Sequence, residues 1–194
     1  MARNVERDAL ARERQRNNIM ENARELFALR GLRGVRIEDI AKAVGITSAN
    51  VYHYFSSKEN LLMEVIVHSQ LVFGEALQKL SEGSGSPWEK LVSLGTPNKN
   101  RKSYVVLLHL NIALSDALPK ELRQQYKSNA INNLKVLSSI VAEGQRQGQI
   151  IAGDPLQLAA RYIVDLTGFN VYSSTNLYEG LHFRFEDIIA HLRP

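Results

Sequence analysis

The stretch ITSANVYHYFSSKENLL, residues 46–62, decides the fold, because it joins a tight turn, a short helix and the start of a longer helix. At about 100° per residue, Val51, Tyr54 and Phe55 share one face of the short helix. The opposite face and its flanks carry small and polar side chains, at Ala49, Asn50, Tyr52 and His53. We expect the first face to pack against the protein and the second to be presented to a partner.

A second short helix precedes this one. The apolar residues between Ile37 and Val44 have the spacing of an amphipathic helix, and Gly45 is placed to end it. Thr47 can then cap a helix over 48–54, since its hydroxyl can accept a hydrogen bond from a free amide of the first turn. The sequence therefore predicts two short helices joined by a tight turn, which is a helix-turn-helix.

The rest of the chain reads as further helices with recognisable ends. Upstream, an amphipathic pattern runs from Ile19 to Arg30, and downstream Ser56-Ser57-Lys58-Glu59 has the form of a capping box that opens a helix over 58–81. Further starts and stops predict helices from Ser86-Pro87-Trp88-Glu89 onward, in an apolar run over 104–114, and over 119–146, 155–174 and 185–192. No convincing strand pattern is present. We predict an all-α fold with a three-helix head over 1–57 and a larger helical body over 58–194.

Composition bounds the class of protein. The chain has 194 residues, 44% hydrophobic and 23% charged, which suffices for a packed core. Cysteine is absent, so a disulfide framework and a thiolate metal site are excluded. No apolar run reaches the roughly 18 residues of a membrane span, and the Arg-rich start lacks the apolar segment of a signal peptide. We expect a cytoplasmic protein with no membrane contact.

The positive charge is concentrated in the head. Residues 1–60 carry 11 Lys and Arg against 8 Asp and Glu (+3), and the remainder carries 13 against 12 (+1), for a net charge of +4. The first 17 residues alone contain five arginines, at Arg3, Arg7, Arg12, Arg14 and Arg16. This segment is either a frayed, solvated tail or an arm whose arginines reach a polyanion.

The polar face of the short helix suits DNA. A helix about 10–12 Å wide fits the major groove, where each base pair shows its own pattern of donors and acceptors. Small residues permit close approach, an asparagine can bond an adenine edge, and tyrosine, lysine and arginine suit phosphate oxygens. The candidate DNA contacts are Arg36, Thr47, Ser48, Ala49, Asn50, Tyr52, His53 and Lys58. The alternative is a solvated polar face with Tyr52 packed down.

These residues resemble a known family. The pattern Ala23-x-x-Leu26-Phe27, Gly31, Ile40-Ala41-x-x-x-Gly45 and Val51-Tyr52-x-Tyr54-Phe55-x-x-Lys58-Glu59-x-Leu61-Leu62 is similar to the N-terminal domain of TetR-family transcriptional regulators, over about residues 15–65. The resemblance implies a homodimeric repressor whose body binds a small molecule and thereby releases operator DNA, with phosphates held by Tyr52 and Lys58. Where many relatives carry threonine before the second helix, this chain has Val35-Arg36-Ile37.

The resemblance implies an effector pocket in the body, without naming its residues. Polar groups on otherwise apolar helices are candidates for its lining: His68, Trp88, Tyr104, His109, Asn111, Tyr162 and Asp165. The alternative for each of them, and the one that such residues more often represent, is a satisfied core or surface residue. A basic cluster, Lys99, Arg101 and Lys102, is either a solvated loop or a site for a charged head group such as the phosphates of an acyl-coenzyme A.

Two apolar stripes are candidates for the dimer interface that reading two half-sites requires. The first lies in the helix over 155–174 and contains small residues, and the second is the last helix. The candidate interface residues are Leu156, Ala160, Ile163, Val164, Gly168, Phe185, Ile188, Ile189 and Leu192. Either stripe could instead belong to the core of the same chain.

Other classes of function find little support in the sequence. A nucleophile elbow, a phosphate loop, a dinucleotide fingerprint and paired histidines at metal-ligand spacing are all missing, so we expect no enzyme activity, cofactor or metal. The remaining alternative is a helical adaptor or carrier whose head binds protein instead of DNA.

Overall fold

The computed structural model describes residues 2–96, 108, 120–174 and 180–194, and in this part of the chain every regular element is a helix. The all-α prediction is confirmed. The helices are α1 (Ala2–Arg30), α2 (Ile37–Val44), α3 (Ser48–Tyr54), α4 (Lys58–Glu82), α5 (Pro87–Gly95), α6 (Lys120–Arg146), α7 (Pro155–Ser174) and α8 (Phe185–Ile188), the last continuing as a 3₁₀ turn, Ile189–Leu192. Apart from Leu108, the predicted helix over 104–114 lies outside the described residues.

The described chain divides into two compact units. One contains Met1–His68 and Leu108, and the other begins at Ser69, so α4 contributes residues to both. The core of the first unit is formed by apolar residues of the first four helices, including the fully buried Ile19, Ile40 and Val51. Gly45 ends α2 with φ at 77°, a left-handed conformation that glycine adopts without strain.

Two details of the head differ from the sequence predictions. The helix α1 begins at Ala2, which corrects the frayed-tail interpretation, although residues 6–14 are exposed. The cap of α4 is Ser57 instead of Ser56, because the Ser57 hydroxyl accepts a hydrogen bond from the Asn60 amide at 3.0 Å. The capping box predicted for Ser56 and Glu59 is therefore replaced by a single side-chain cap one residue later.

The second unit has a continuous apolar core drawn from α4 to α8 and the final 3₁₀ turn. Its central residue is Tyr162, which is fully buried and donates its hydroxyl hydrogen to the Leu91 carbonyl at 2.7 Å. The Phe185 ring packs edge-on against Tyr162, with the two ring centroids 5.5 Å apart, and thereby fixes α8 on the bundle. Helix α5 starts where the sequence predicted, with a capping box. The Ser86 amide donates to the Glu89 carboxylate at 2.8 Å, and the Glu89 amide donates to the Ser86 hydroxyl at 3.3 Å.

None of the described helices is both long and apolar enough to cross a membrane.

Candidate nucleic-acid interface

Helix α3 is fixed at both ends and along one face. At its start the Thr47 hydroxyl accepts a hydrogen bond from the Asn50 amide at 3.2 Å, as the sequence predicted. Along one face Val51 and, at the end of the helix, Phe55 are buried. Because the Thr47 oxygen acts only as an acceptor in this cap, its hydroxyl hydrogen remains able to bond a phosphate. The helix is therefore capped at its start and packed along one face, while Ala49, Asn50, Tyr52 and His53 are exposed.

The open surface of α3 has the chemistry expected of it. Ala49, Asn50 and His53 are exposed, and Tyr52 retains 52% of its accessible surface. Tyr52 is therefore not packed down, although an exposed polar face is expected both of a DNA-reading helix and of a merely solvated one. Tyr54 is half-buried and presents its ring edge-on to His53, with 5.5 Å between the ring centroids. This contact limits the orientations available to the imidazole.

A cation, Arg36, lies at the start of α2, the helix that precedes α3 in the chain. Arg36 is the N-cap residue of α2, and its backbone N–H donates to the Asp39 carboxylate at 3.0 Å. The Arg36 side chain is exposed and makes no capping hydrogen bond. Its guanidinium is therefore available to an anionic partner.

Lys58 has a different environment from the other candidate contacts. Its Nζ donates two hydrogen bonds of 2.8 Å, to the carbonyl oxygens of Leu32 and Val35 in the connection between α1 and α2. The side chain is half-buried. An ammonium has three hydrogens, so only one is left for an external acceptor.

One of the N-terminal arginines also acts within the chain. Arg16 forms an ion pair with Glu64, and its guanidinium lies over the Phe55 ring, 5.0 Å from the centroid. Arg16 thus connects α1 to the residue that ends α3 and to α4. By contrast, Arg7, Arg12 and Arg14 are exposed.

The candidate effector residues do not form one described pocket. Trp88 and Tyr162 belong to the core of the second unit, where their polar atoms are bonded: the Trp88 indole donates to Glu186 at 3.3 Å. His68 is exposed and is assigned to the first unit. Asp165 is half-buried, and its Oδ2 is 3.4 Å from His191 Nε2 without a hydrogen-bond partner among the described residues. The candidates Tyr104, His109 and Asn111, and the basic cluster over 99–102, lie outside the described residues.

The described residues of the second unit border open grooves, of which two are considered. The larger, about 360 Å³, is bordered by Lys90, Glu143 and Arg146. The smaller, about 280 Å³, has amide side chains that sequence reasoning missed: Gln70 is 4% exposed and accepts a hydrogen bond from Asn129 Nδ2 at 3.3 Å. In the described part of the chain, no group of three His, Asp or Glu residues could hold a metal ion.

The candidate dimer residues separate into buried and exposed sets. Phe185, Ile189 and Leu192 are enclosed by the chain's own core, so we leave them out of the dimer surface proposed below. Ile163 and Ile188 are half-buried and pack against the same core. The exposed members recur every fourth residue along α7: Leu156, Ala160, Val164 and Gly168.

Residues 19–65 match the family model described as bacterial regulatory proteins, tetR family. The chain therefore carries a TetR-type N-terminal domain over these residues. The matched residues include the whole of α2 and α3, and so they contain the exposed face described above. TetR-family members are ligand-responsive, DNA-binding transcriptional repressors and are not enzymes.

Similar proteins extend the comparison to most of the chain. The HTH-type transcriptional repressor KstR2 of Mycolicibacterium smegmatis is 29% identical over 166 residues, which are 81% of this chain and 78% of that protein. A transcriptional regulator from Saccharomonospora viridis, solved in complex with choline, has a TM-score of 0.70 and 24% identity, covering 93% of this chain and 94% of that one. AibR, solved with isovaleryl coenzyme A and operator DNA, has a TM-score of 0.66 and 21% identity, covering 91% and 95%. The two solved structures share the fold of this chain.

Proposed function

We propose that this chain is a cytoplasmic, homodimeric repressor that binds an inverted-repeat operator and is released from it by a small, largely apolar effector. The head over 1–57 binds DNA, and the helical body over 58–194 binds the effector and forms the dimer. The observation that carries this proposal is α3, a rigidly capped helix whose exposed face holds an amide, an imidazole and a phenol.

The candidate side chains of α3 and of the residues that precede α2 and α3 have different roles in the proposed complex. Ser48 and Ala49 are small enough to let the helix enter the major groove, where the Asn50 amide can both donate to and accept from an adenine edge. His53, oriented by Tyr54, addresses a base or a phosphate. The Tyr52 hydroxyl, the Thr47 hydroxyl and the Arg36 guanidinium bind phosphates, which sets the register of the helix without reading sequence.

The proposed dimer surface is the α7 stripe, Leu156, Ala160, Val164 and Gly168. These four residues lie at intervals of four on one side of a helix, and Val164 retains 69% of its accessible surface. The occupant we propose is the same stripe of a second copy, because an isologous interface is self-complementary and two half-sites require twofold symmetry. Alanine and glycine in the stripe would allow two helices to approach closely.

A single charge in the stripe tests the dimer. Val164→Glu places a carboxylate at the most exposed apolar position, where a self-complementary interface would bring two of them together and desolvate both. Sedimentation equilibrium should show the wild type as a dimer and this variant as a monomer that stays helical. The matched control is Gln157→Glu, an exposed position on the same helix outside the stripe. A wild-type monomer at micromolar concentration would overturn the proposal.

The effector would act by favouring the DNA-free conformation. We propose that α4, which contributes residues to both units, transmits the effect of the bound effector from the body to the head. To change occupancy from about 99% to about 1%, the effector must bind the released state about 10⁴-fold more tightly, or about 5.5 kcal/mol. Support for a small organic effector comes from the similar structures, one holding choline and another isovaleryl coenzyme A.

An acyl-coenzyme A is one effector class that can be tested directly. The basic cluster Lys99, Arg101 and Lys102 offers three cations to its phosphates. We expect isovaleryl coenzyme A to release DNA from the wild type and to lose this effect when all three residues are changed to alanine. Full release from the triple variant would exclude the cluster as the phosphate site, and no release from either protein would exclude short acyl-coenzyme A effectors.

The alternative function is a helical adaptor whose head binds protein. The salt dependence of DNA binding distinguishes this adaptor from the proposed DNA-binding repressor. A protein that neutralises several phosphates releases their counterions, so its affinity for duplex DNA falls steeply between about 50 and 200 mM salt. We expect measurable affinity for a mixed-sequence duplex at low salt, with a log–log slope of several units. Absence of binding at low salt would favour the adaptor.

A further inference from the structure

The leading part of α1 carries two exposed arginines on one side of the helix. Arg7 and Arg14 are seven residues apart, so at about 100° per residue their side chains point within about 20° of each other. Along the helix axis they are separated by about 10.5 Å. Both precede residue 19, where the match to the TetR family model begins. We call Arg7 and Arg14 the arginine stripe.

We infer that the arginine stripe binds phosphates of the DNA duplex that α3 contacts. This inference rests on the proposed DNA-binding function, and it adds to that interface a contact made outside the helix-turn-helix. Because the partner is the phosphate backbone, the stripe adds affinity and sets orientation without reading sequence.

The charge pattern of α1 leaves the two arginines of the stripe uncompensated. The neighbours of a residue on a helix surface lie three and four positions away, and none of these positions around Arg7 or Arg14 holds an acidic residue. The acids beside them in sequence, Glu6, Asp8 and Glu13, point about 100° away. In the described part of the chain, no ion pair joins either arginine to an acid. Their charges are therefore available to an external anion.

Two other arginines of this segment lie on the opposite side of α1. Arg16 pairs with Glu64 and lies over the Phe55 ring, so it marks the side that faces the rest of the head. Arg12 follows Asp8 by four residues, a spacing at which opposite charges attract on a helix. Both point about 140–180° away from the stripe. The stripe is thus the side of the segment that faces away from the head and carries unpaired charge.

The head holds α1, and with it the stripe, against the end of α3. Ile19 and Phe27, later in the same helix, are buried in the core of the first unit. Arg16 contacts Phe55, the residue that ends α3. Binding of α3 to a duplex therefore brings the stripe close to a polyanion with one charge per about 1.7 Å of its axis. Arginine suits this partner, because its planar guanidinium can bond a phosphate through two donors at once.

The first test compares the salt dependence of DNA affinity for the wild type, Arg7→Gln, Arg14→Gln and the matched control Arg12→Gln. Each protein is titrated with a mixed-sequence duplex between about 50 and 200 mM salt, after circular dichroism has checked its helix content. Loss of one phosphate contact lowers the slope of log affinity against log salt by about 0.9. We expect this loss of slope, with several-fold weaker binding, for Arg7→Gln and for Arg14→Gln, and an unchanged slope for Arg12→Gln.

Two results of the salt titration would overturn the inference. An equal loss of slope for Arg12→Gln would mean that the segment attracts DNA only through its overall charge, without a defined stripe. Unchanged slopes for all three variants would make the segment a solvated helix.

The second test uses the wild-type protein alone, so it does not depend on a variant folding. The protein is treated briefly with p-hydroxyphenylglyoxal, with and without the duplex, and modification of each arginine is measured by mass spectrometry. We expect DNA to protect Arg7, Arg14 and Arg36, and to leave the exposed Arg146 of the body unprotected. Protection of the stripe by phosphatidylglycerol vesicles but not by DNA would assign it to a membrane surface and overturn the inference.

Failure of this inference is distinguishable from failure of the proposed function. If the wild type does not bind the duplex at low salt and Arg36 is not protected, the proposed function and the stripe fail together. If Arg36 is protected while Arg7 and Arg14 are not, the DNA-binding function stands and only the stripe is excluded from the interface.

Discussion

Gly95→Ala is expected to be strongly destabilising, because α5 ends against an aromatic ring. A β-carbon built at Gly95 would lie 1.8 Å from Cδ1 of Phe185, 2.2 Å from Cε1 and 2.3 Å from Cγ. Carbon atoms in contact are about 3.5–4.0 Å apart, so the ring would have to retreat by about 2 Å. Phe185 is 3% exposed and is flanked by Tyr162 and Phe169, whose ring centroids are 5.5 Å and 5.2 Å away. A retreat of the ring would therefore push it against these neighbouring aromatic rings.

The magnitude is bounded by two limiting responses. If the core adjusts around the new methyl group, overpacking costs about 1–3 kcal/mol, and if the ring is expelled the loss approaches the about 3–5 kcal/mol of a phenylalanine truncation. Alanine regains up to about 1 kcal/mol of helix propensity. We expect a net loss of about 2–3 kcal/mol, which for a chain of this size lowers the unfolding midpoint by about 4–12 °C.

Thermal and urea unfolding of four proteins would test the steric origin of this loss: the wild type, Gly95→Ala, Phe185→Ala and the double variant. Removing the ring should abolish the cost of the methyl group, so the substitutions should show a coupling energy of at least about 2 kcal/mol. Ser93→Ala, an exposed change on the same helix, is the control and should stay within about 0.5 kcal/mol of the wild type. Equal costs of Gly95→Ala with and without the ring would refute the reasoning.

Three further predictions concern capping, the buried core and pH. Ser57→Ala should lower the free energy of unfolding by about 1 kcal/mol, because it removes the cap of α4. The control, Ser56→Ala, should change it by less than about 0.5 kcal/mol. Equal effects of the two substitutions in urea unfolding would contradict the assignment of Ser57 as the cap. Tyr162→Phe should lower the free energy of unfolding by about 1–1.5 kcal/mol, because it deletes a buried hydrogen bond. Tyr172→Phe, at a more exposed site, should lower it by less, and urea unfolding of both variants checks the difference. Hydrogen bonds from Ser86 lower the pKa of Glu89 below its ordinary 4.5, so Glu89 stabilises the fold above pH 4.5 and loses this effect as the pH falls through the lowered pKa. The difference in free energy of unfolding between the wild type and Glu89→Gln should therefore shrink in acid. A difference that does not depend on pH would contradict this prediction.

The features that the sequence predicted well depend on neighbouring residues. The bounds of α2 and α3 follow from the apolar spacing of Ile37 to Val44, the left-handed Gly45 and the Thr47 cap, all of which act within a few residues. The displaced cap of α4 shows the limit of such local signals. Both serines of Ser56-Ser57 precede a possible partner amide by three residues, and in the structure the cap is Ser57.

The features that the sequence could not predict depend on distant residues. Trp88 and Tyr162 have the polar atoms expected of pocket residues, but their hydrogen-bond partners lie 98 and 71 positions away, in Glu186 and the Leu91 carbonyl. Lys58 is bonded to backbone carbonyls, which no side-chain pattern reveals. Likewise, an apolar stripe does not show whether it faces its own core, as in the last helix, or is left exposed, as along α7.

The central claim is that the exposed face of α3 reads DNA sequence, and selection of bound duplexes from a random pool tests it most directly. The selection is run with the wild type, Asn50→Ala and Tyr52→Phe. We expect the wild type to enrich an inverted repeat, Asn50→Ala to lose preference at one base pair of each half-site, and Tyr52→Phe to keep the preference at lower affinity. An unenriched pool, with weak binding that disappears in moderate salt, would contradict the claim.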